Sequence, residues 1–184
     1  MRKKAVFLDR DGTIIEEKNY LSNPDDVVLI EGASEAIKKL SQNNFYIIMV
    51  TNQSGVARGY FSEQDAVIVN NRVKQLLEQD GACIDAIYYC PHHPKGVVEG
   101  YNIDCECRKP NIGMAIKAKN EHQIDLSESY MIGDKKIDVE FALNANMKNG
   151  YLLATGHGKE EELPNNYGCK AKNILDAAKQ ILND

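Results

Sequence analysis

Phe7-Leu8-Asp9-Arg10-Asp11-Gly12-Thr13 runs an apolar stretch directly into two carboxylates. If the backbone stays extended past Leu8, Asp9 and Asp11 point to the same side and share one site. Gly12 lets the chain turn away sharply. The carboxyl ends of strands line the ligand crevice of open α/β sheets, and two carboxylates there can hold a hard divalent cation such as Mg²⁺. An ordinary Asp-Gly turn closing a strand would look the same locally. The rest of the chain argues against the turn, because three more strand ends carry suitable polar residues: Thr51-Asn52-Gln53-Ser54-Gly55, Arg108-Lys109-Pro110, and Gly133-Asp134-Lys135-Lys136 with Asp138.

Working outward, apolar runs alternate with helical patterns, and no internal repeat interrupts them. Strands are expected at residues 4–9, 45–51, 84–90, 130–133 and 151–154, each rich in β-branched or aromatic residues. Helices are expected at 33–43, 62–79, 114–120, 138–146 and 174–182. The first is amphipathic through Ala33, Ala36, Ile37 and Leu40, and the second is expected to open with a capping box of Ser62 and a following glutamine. The architecture that follows is α/β, a three-layer doubly wound parallel sheet in one domain spanning residues 1–184. Residues 91–104 lack periodicity and read as a long loop, which inside a compact domain has a function or a clamp.

The chain has 184 residues, 43% hydrophobic and 27% charged, and its net charge is −5. This acidic balance speaks against binding nucleic acid or an anionic membrane face, so an anionic substrate must meet local basic groups. No apolar run approaches the roughly 20 residues of a membrane span. Met1-Arg2-Lys3-Lys4 is basic, but Asp9 cuts the following apolar stretch short, so no export signal is expected and a cytoplasmic location is the default. A monomer fits this composition.

Five cysteines, an odd number, fit metal binding or free thiols in a reducing compartment better than a disulfide scaffold. Cys90-Pro91-His92-His93 and Cys105-Glu106-Cys107 supply three thiolates and an imidazole, enough for a closed structural Zn²⁺ site. Spacing does not choose between His92 and His93. A clamp on the loop of residues 90–107 would also fix Arg108 and Lys109, which follow its last ligand. Buried free thiols beside a surface histidine pair are the alternative. Cys83 and Cys169 are expected to be small apolar fillers.

The pattern Asp-x-Asp-x-Thr at Asp9, Asp11 and Thr13 resembles the first motif of the haloacid-dehalogenase-like (HAD) phosphatases. Within that superfamily the chain is similar to the D-glycero-D-manno-heptose 1,7-bisphosphate phosphatases. The likeness rests on residues 7–13 and 51–59, Tyr88-Tyr89-Cys90-Pro91-His92-His93-Pro94, residues 105–110, and Gly133-Asp134-Lys135. It implies the HAD fold without a large cap domain, and release of the C7 phosphate on the route to nucleotide-activated heptose for lipopolysaccharide or surface glycans. Asp9 would be the nucleophile and Asp11 the general acid and base. Mg²⁺ would be held by Asp9, Asp134 and the backbone carbonyl of Asp11, with Thr51 and Lys109 on the transferring phosphoryl group. The zinc ligands would be Cys90, His92, Cys105 and Cys107, leaving His93 as a neighbour.

Without a cap, loops must choose the phosphosugar. They carry Glu17, Lys18, Asn19, Tyr20, Asn52, Gln53, Ser54, Arg58, Arg108 and Lys135, with Arg108 suited to bidentate phosphate contact. The resemblance leaves histidinol-phosphate phosphatase as the nearest rival activity. A non-enzymatic zinc-dependent binding module is the more distant one.

Overall fold

The computed structural model describes residues 2–159, 161–164 and 167–184. Its strands are β1 (Ala5–Leu8), β2 (Tyr46–Asn52), β3 (Ala86–Cys90), β4 (Tyr130–Gly133), β5 (Asn149–Leu153) and β6 (Cys169–Ala171). Between and after them lie α1 (Ala33–Gln42), α2 (Glu63–Gln79), α3 (Gly113–His122), α4 (Lys136–Asn144) and α5 (Ile174–Leu182). All strands pair in parallel, in the order β3-β2-β1-β4-β5-β6. The chain winds one way from β1 to β3 and the other way from β4 to β6. The switch point therefore falls between β1 and β4, where ligands of such sheets bind.

Alternation along the strands divides the core into two layers. Val6, Leu8, Ile47, Met49 and Ile132 pack with the apolar faces of α1, α2 and α5. Phe7, Ile48, Val50 and Met131 pack on the other side with Met114 and Ala118 of α3 and Phe141 and Ala142 of α4. A sheet covered on both faces explains why β1 is buried at every position.

Several boundaries differ from expectation. The box that opens α2 pairs Ser62 with Asp65, not with a glutamine, because the aspartate stands three residues on and Gln64 only two. Helix α4 starts two residues early, since the Asp138 carboxylate accepts the Lys135 backbone N–H and closes the first turn there. Strand β5 also starts two residues early, and β6 was not expected. With three residues at the sheet edge, β6 has no alternation to read. Cys83 is exposed rather than a filler, because it follows the Gly81 turn outside the sheet, whereas Cys169 packs partly buried against the core.

After Gly12 the chain dips back inward. Ile14 and Ile15 are fully buried, and Ile14 accepts the Ile30 backbone N–H. This excursion brings residues 17–21 over the carboxyl end of β1. On the opposite side, the backbone N–H groups of Val97 and Val98 both donate to Ala57, tying the loop after β3 to the loop after β2.

Candidate active site

Asp9 follows the last residue of β1, and its backbone N–H donates to Ile132 at 3.0 Å, so the ladder with β4 continues into it. Its side chain opens at the switch point and is 8% exposed. The Lys109 ammonium is buried between two carboxylates, 2.8 Å from Asp9 Oδ1 and 2.6 Å from Asp138 Oδ1, and it donates to the Val50 carbonyl at 2.9 Å. Burial pulls the Lys109 pKa down, but Asp138 and Asp9 more than offset it and hold the ammonium above the usual lysine range. Burial pushes Asp138 up, to about 6, against the pull of Lys109. The Asn52 side chain clamps the Lys109 backbone from both sides, donating to its carbonyl and accepting its N–H, each at 3.0 Å.

Asp134, at the end of β4, is fully buried, and its Oδ1 has no hydrogen-bond partner among the described residues. Its Oδ2 accepts the His157 backbone N–H at 2.9 Å. A Cβ added to Gly12 or Gly156 would stand 2.2 Å from that same oxygen, and Gly12 also has φ +76°, so the cradle around the carboxylate requires glycine. Carboxylate oxygens of Asp9, Asp134 and Asp138 lie within 4.8 Å of one another. With Asp138 occupied by Lys109, a hard cation fits between Asp9 and the orphaned Asp134 oxygen. Asp11 is not in that trio.

Burial, then the Asp9 and Asp138 charges, push the Asp134 pKa up to about 8. Between roughly pH 4 and pH 8 the folded chain therefore keeps a proton there that the unfolded chain has released, so its stability falls as pH rises through that window. A divalent cation favours the ionised form and removes the penalty. At one fixed Mg²⁺ concentration, the rise in Tm caused by Mg²⁺ is expected to be larger at pH 8 than at pH 6. Differential scanning fluorimetry at both pH values checks this, and equal shifts would contradict it.

The Asp11 carboxylate faces a cavity of about 260 Å³. It is gripped by Arg10, whose Nε and Nη2 donate at 3.1 and 3.0 Å, and by Gln53 Nε2 at 3.1 Å. Gln53 Nε2 also donates to Thr51 Oγ1 at 2.8 Å, so one amide positions both groups. Of the expected substrate residues, Glu17, Asn19, Tyr20, Asn52, Gln53, Ser54 and Lys135 line this cavity. Lys18, Arg58 and Arg108 do not. Lys18 reaches the Asp26 carbonyl, Arg58 faces His93 at 3.2 Å, and Arg108 donates to the His92 carbonyl.

Lys135 Nζ lies 3.2 Å from Glu17 Oε2. Although burial opposes it, Asp9, Asp134 and Glu17 raise the Lys135 pKa, so it keeps its charge. Sequence reasoning missed Arg10, Asp138 and His157 as parts of the site. Arg10 and Asp138 stood in quoted motifs without a role, while nothing local marks His157.

The three thiols and one imidazole converge. Cys90, Cys105 and Cys107 sulfurs lie 3.0–3.4 Å apart, and His92 Nδ1 lies 3.4 Å from Cys107 and 3.8 Å from Cys90. A tetrahedral Zn²⁺ with bonds of about 2.3 Å would separate its sulfurs by roughly 3.8 Å, so the set fits such an ion with slight expansion. His93 turns away to Arg58, which leaves His92 as the imidazole of the set. Hydrogen bonding with Cys90 and with the His92 ring holds the Cys107 thiol down, to about 5, toward the thiolate form that a metal takes.

Residues 4–149 match the family described as polynucleotide kinase 3 phosphatase. The chain is 46% identical over 157 residues to the D-glycero-beta-D-manno-heptose-1,7-bisphosphate 7-phosphatase of Haemophilus ducreyi, covering 85% of this chain and 86% of that one. It is 40% identical over 177 residues to the enzyme of the same name from Escherichia coli K12, covering 96% and 93%. The crystal structure of D,D-heptose 1,7-bisphosphate phosphatase from B. bronchiseptica, complexed with magnesium and phosphate, superposes with a TM-score of 0.84 at 30% identity over 98% of both chains. With that identity running through nearly its whole length, the chain belongs to the D-glycero-beta-D-manno-heptose-1,7-bisphosphate 7-phosphatase family of HAD-like phosphatases.

Proposed function

We propose that this chain is a Mg²⁺-dependent phosphatase that removes the C7 phosphate of D-glycero-β-D-manno-heptose 1,7-bisphosphate through a phosphorylated Asp9. One observation carries the chemistry: a nearly buried carboxylate at the tip of β1 is paired with the Lys109 ammonium at 2.8 Å, within 4.8 Å of the Asp134 carboxylate, whose Oδ1 has no partner among the described residues. The substrate is carried over from the relatives named above, including their β anomer.

An Asp9 oxygen attacks the C7 phosphorus, and the bond from phosphorus to the sugar oxygen breaks. Asp11 gives that oxygen its proton, and the heptose 1-phosphate leaves. Asp11 then takes a proton from water as the water attacks the aspartyl-phosphate, which frees inorganic phosphate and restores Asp9. Lys109 and the Thr51 hydroxyl hold the phosphoryl oxygens, and Gln53 keeps Thr51 and Asp11 in register. Asp9, Asp134 and the Asp11 backbone carbonyl would hold Mg²⁺, which when bound neutralises charge on the transferring phosphoryl group.

Glu17, Asn19, Tyr20, Asn52, Ser54 and Lys135 contact the sugar. Lys18 lies on the same loop, and Arg58 and Arg108 are the cations left for the second phosphate. The chain works as a single domain over residues 1–184, as a monomer in the cytoplasm, and feeds the formation of nucleotide-activated heptose for surface glycans. No helix among the described residues is long and apolar enough to cross a membrane. A net charge of −5 disfavours nucleic acid as a partner.

Zn²⁺ at Cys90, His92, Cys105 and Cys107 would hold the loop of residues 90–107 and, through Cys107, the adjacent Arg108 and Lys109. Cys105→Ser is therefore expected to release zinc, read with a colorimetric zinc indicator, and to lower kcat/KM at least about tenfold. Full activity in a zinc-free protein would contradict this role.

Phosphate release measured with malachite green, comparing the β heptose bisphosphate with histidinol phosphate, tests the function. The bisphosphate is expected to be strongly preferred, and a preference for histidinol phosphate would overturn the assignment.

A further inference from the structure

Glu17, Asp134 and His157 each bring one donor atom within 4.8 Å of the others. They come from three separate segments: the loop after Thr13, the end of β4 and the loop after β5. We infer that this trio is a second divalent-cation site, suited to a borderline metal such as Zn²⁺ or Co²⁺, and that filling it inhibits the enzyme by drawing Asp134 away from Mg²⁺. The inhibitory part rests on the reading of Asp134 as a magnesium ligand.

The donor set decides the selectivity. Mg²⁺ takes oxygen ligands and gains nothing from an imidazole, whereas Zn²⁺ and Co²⁺ bind imidazole and carboxylate together. His157 Nε2 lies 3.6 Å from Glu17 Oε2, close to the roughly 3.3 Å edge of a tetrahedral site with bonds of about 2.0–2.1 Å. Asp134 is fully buried, while the His157 side chain is 50% exposed and open to a cation arriving from solvent.

The imidazole is also tethered. His157 donates its backbone N–H to Asp134 itself, and two residues earlier Thr155 Oγ1 donates to the Gly12 carbonyl at 2.8 Å. One group opposes the ion: the Lys135 ammonium 3.2 Å from Glu17 must withdraw. Binding here is therefore weaker than at the cluster of three thiolates.

The test uses protein whose Cys/His cluster already holds Zn²⁺. Co²⁺ is added while visible absorption and titration heat are followed, for the wild type, His157→Ala and Glu17→Gln. Uptake of one Co²⁺ per chain is expected, weakened at least about tenfold in both variants. Mg²⁺ should compete with it, and its half-saturating concentration for activity should be unchanged in His157→Ala, which keeps the backbone N–H. Zn²⁺ inhibition should weaken at least about tenfold in that variant. Equal Co²⁺ affinity in wild type and His157→Ala, or no Co²⁺ uptake, would overturn the site. Uptake that needs His157 but is indifferent to Mg²⁺ would uphold the site and refute the inhibition, since the two Asp134 oxygens could then serve the two cations separately.

Discussion

Asp9→Asn is expected to lower phosphate release by roughly 10⁴-fold or more, because an amide oxygen cannot form the aspartyl-phosphate and no other carboxylate among the described residues stands in its place. Asp138 is held by Lys109 and fully buried, while the Asp11 carboxylate is oriented by Arg10 and Gln53 and lines the cavity. Neither can substitute. The variant keeps the size and shape of the side chain, so the ladder bond from residue 9 to Ile132 and the near-UV circular dichroism should persist. Malachite-green turnover read beside that spectrum separates lost chemistry from lost fold. Turnover near the wild-type rate would remove Asp9 as the nucleophile.

Lys109→Met is expected to harm both activity and stability. It takes charge away from the phosphoryl oxygens, a loss of roughly 10²–10³-fold in kcat. It also leaves Asp9 and Asp138 buried without the ammonium that now lies 2.8 and 2.6 Å from them. Breaking a buried pair in this way costs about 3–5 kcal/mol, which in a chain of this size lowers Tm by roughly 6–20 °C.

The pH dependence has a definite sign. Burial already pushes Asp138 up to about 6 with Lys109 present, and without it the folded pKa rises further above the unfolded value of about 3.9. The folded variant then binds a proton that the unfolded chain lacks, so its stability is greatest at low pH in that window and falls as pH rises. Urea unfolding of Lys109→Met should show a higher midpoint at pH 5.5 than at pH 8. A midpoint that rises with pH would contradict the burial of an unpaired carboxylate.

Much of this site is legible in the sequence, because it sits where regular structure ends. Asp9, Thr51 and Asp134 stand at or just past strand ends, and an apolar run meeting a polar residue is a local signal. The cysteine spacing was likewise local; spacing alone did not choose between His92 and His93, the resemblance pointed to His92, and in the fold the adjacent side chains diverge so that His92 faces the thiols and His93 faces Arg58. Arg10 was hidden for a different reason. A buried arginine is recognisable only by its partners, and one of these, Asn70, lies 60 residues away on α2. His157 comes to Asp134 through a backbone hydrogen bond, which no side-chain pattern encodes. Cys83 was misplaced because composition says how often cysteine is buried, not which side of the Gly81 turn it falls on.

The most direct measurement is mass spectrometry of the intermediate. An Asp11→Asn enzyme, slowed in breaking the acyl phosphate, is mixed with the heptose bisphosphate, quenched in acid and digested. One added phosphoryl group on the peptide containing Asp9, absent from an Asp9→Asn control, is the result expected. A phosphoryl group on another residue, or none in an enzyme that still turns over, would contradict catalysis through Asp9.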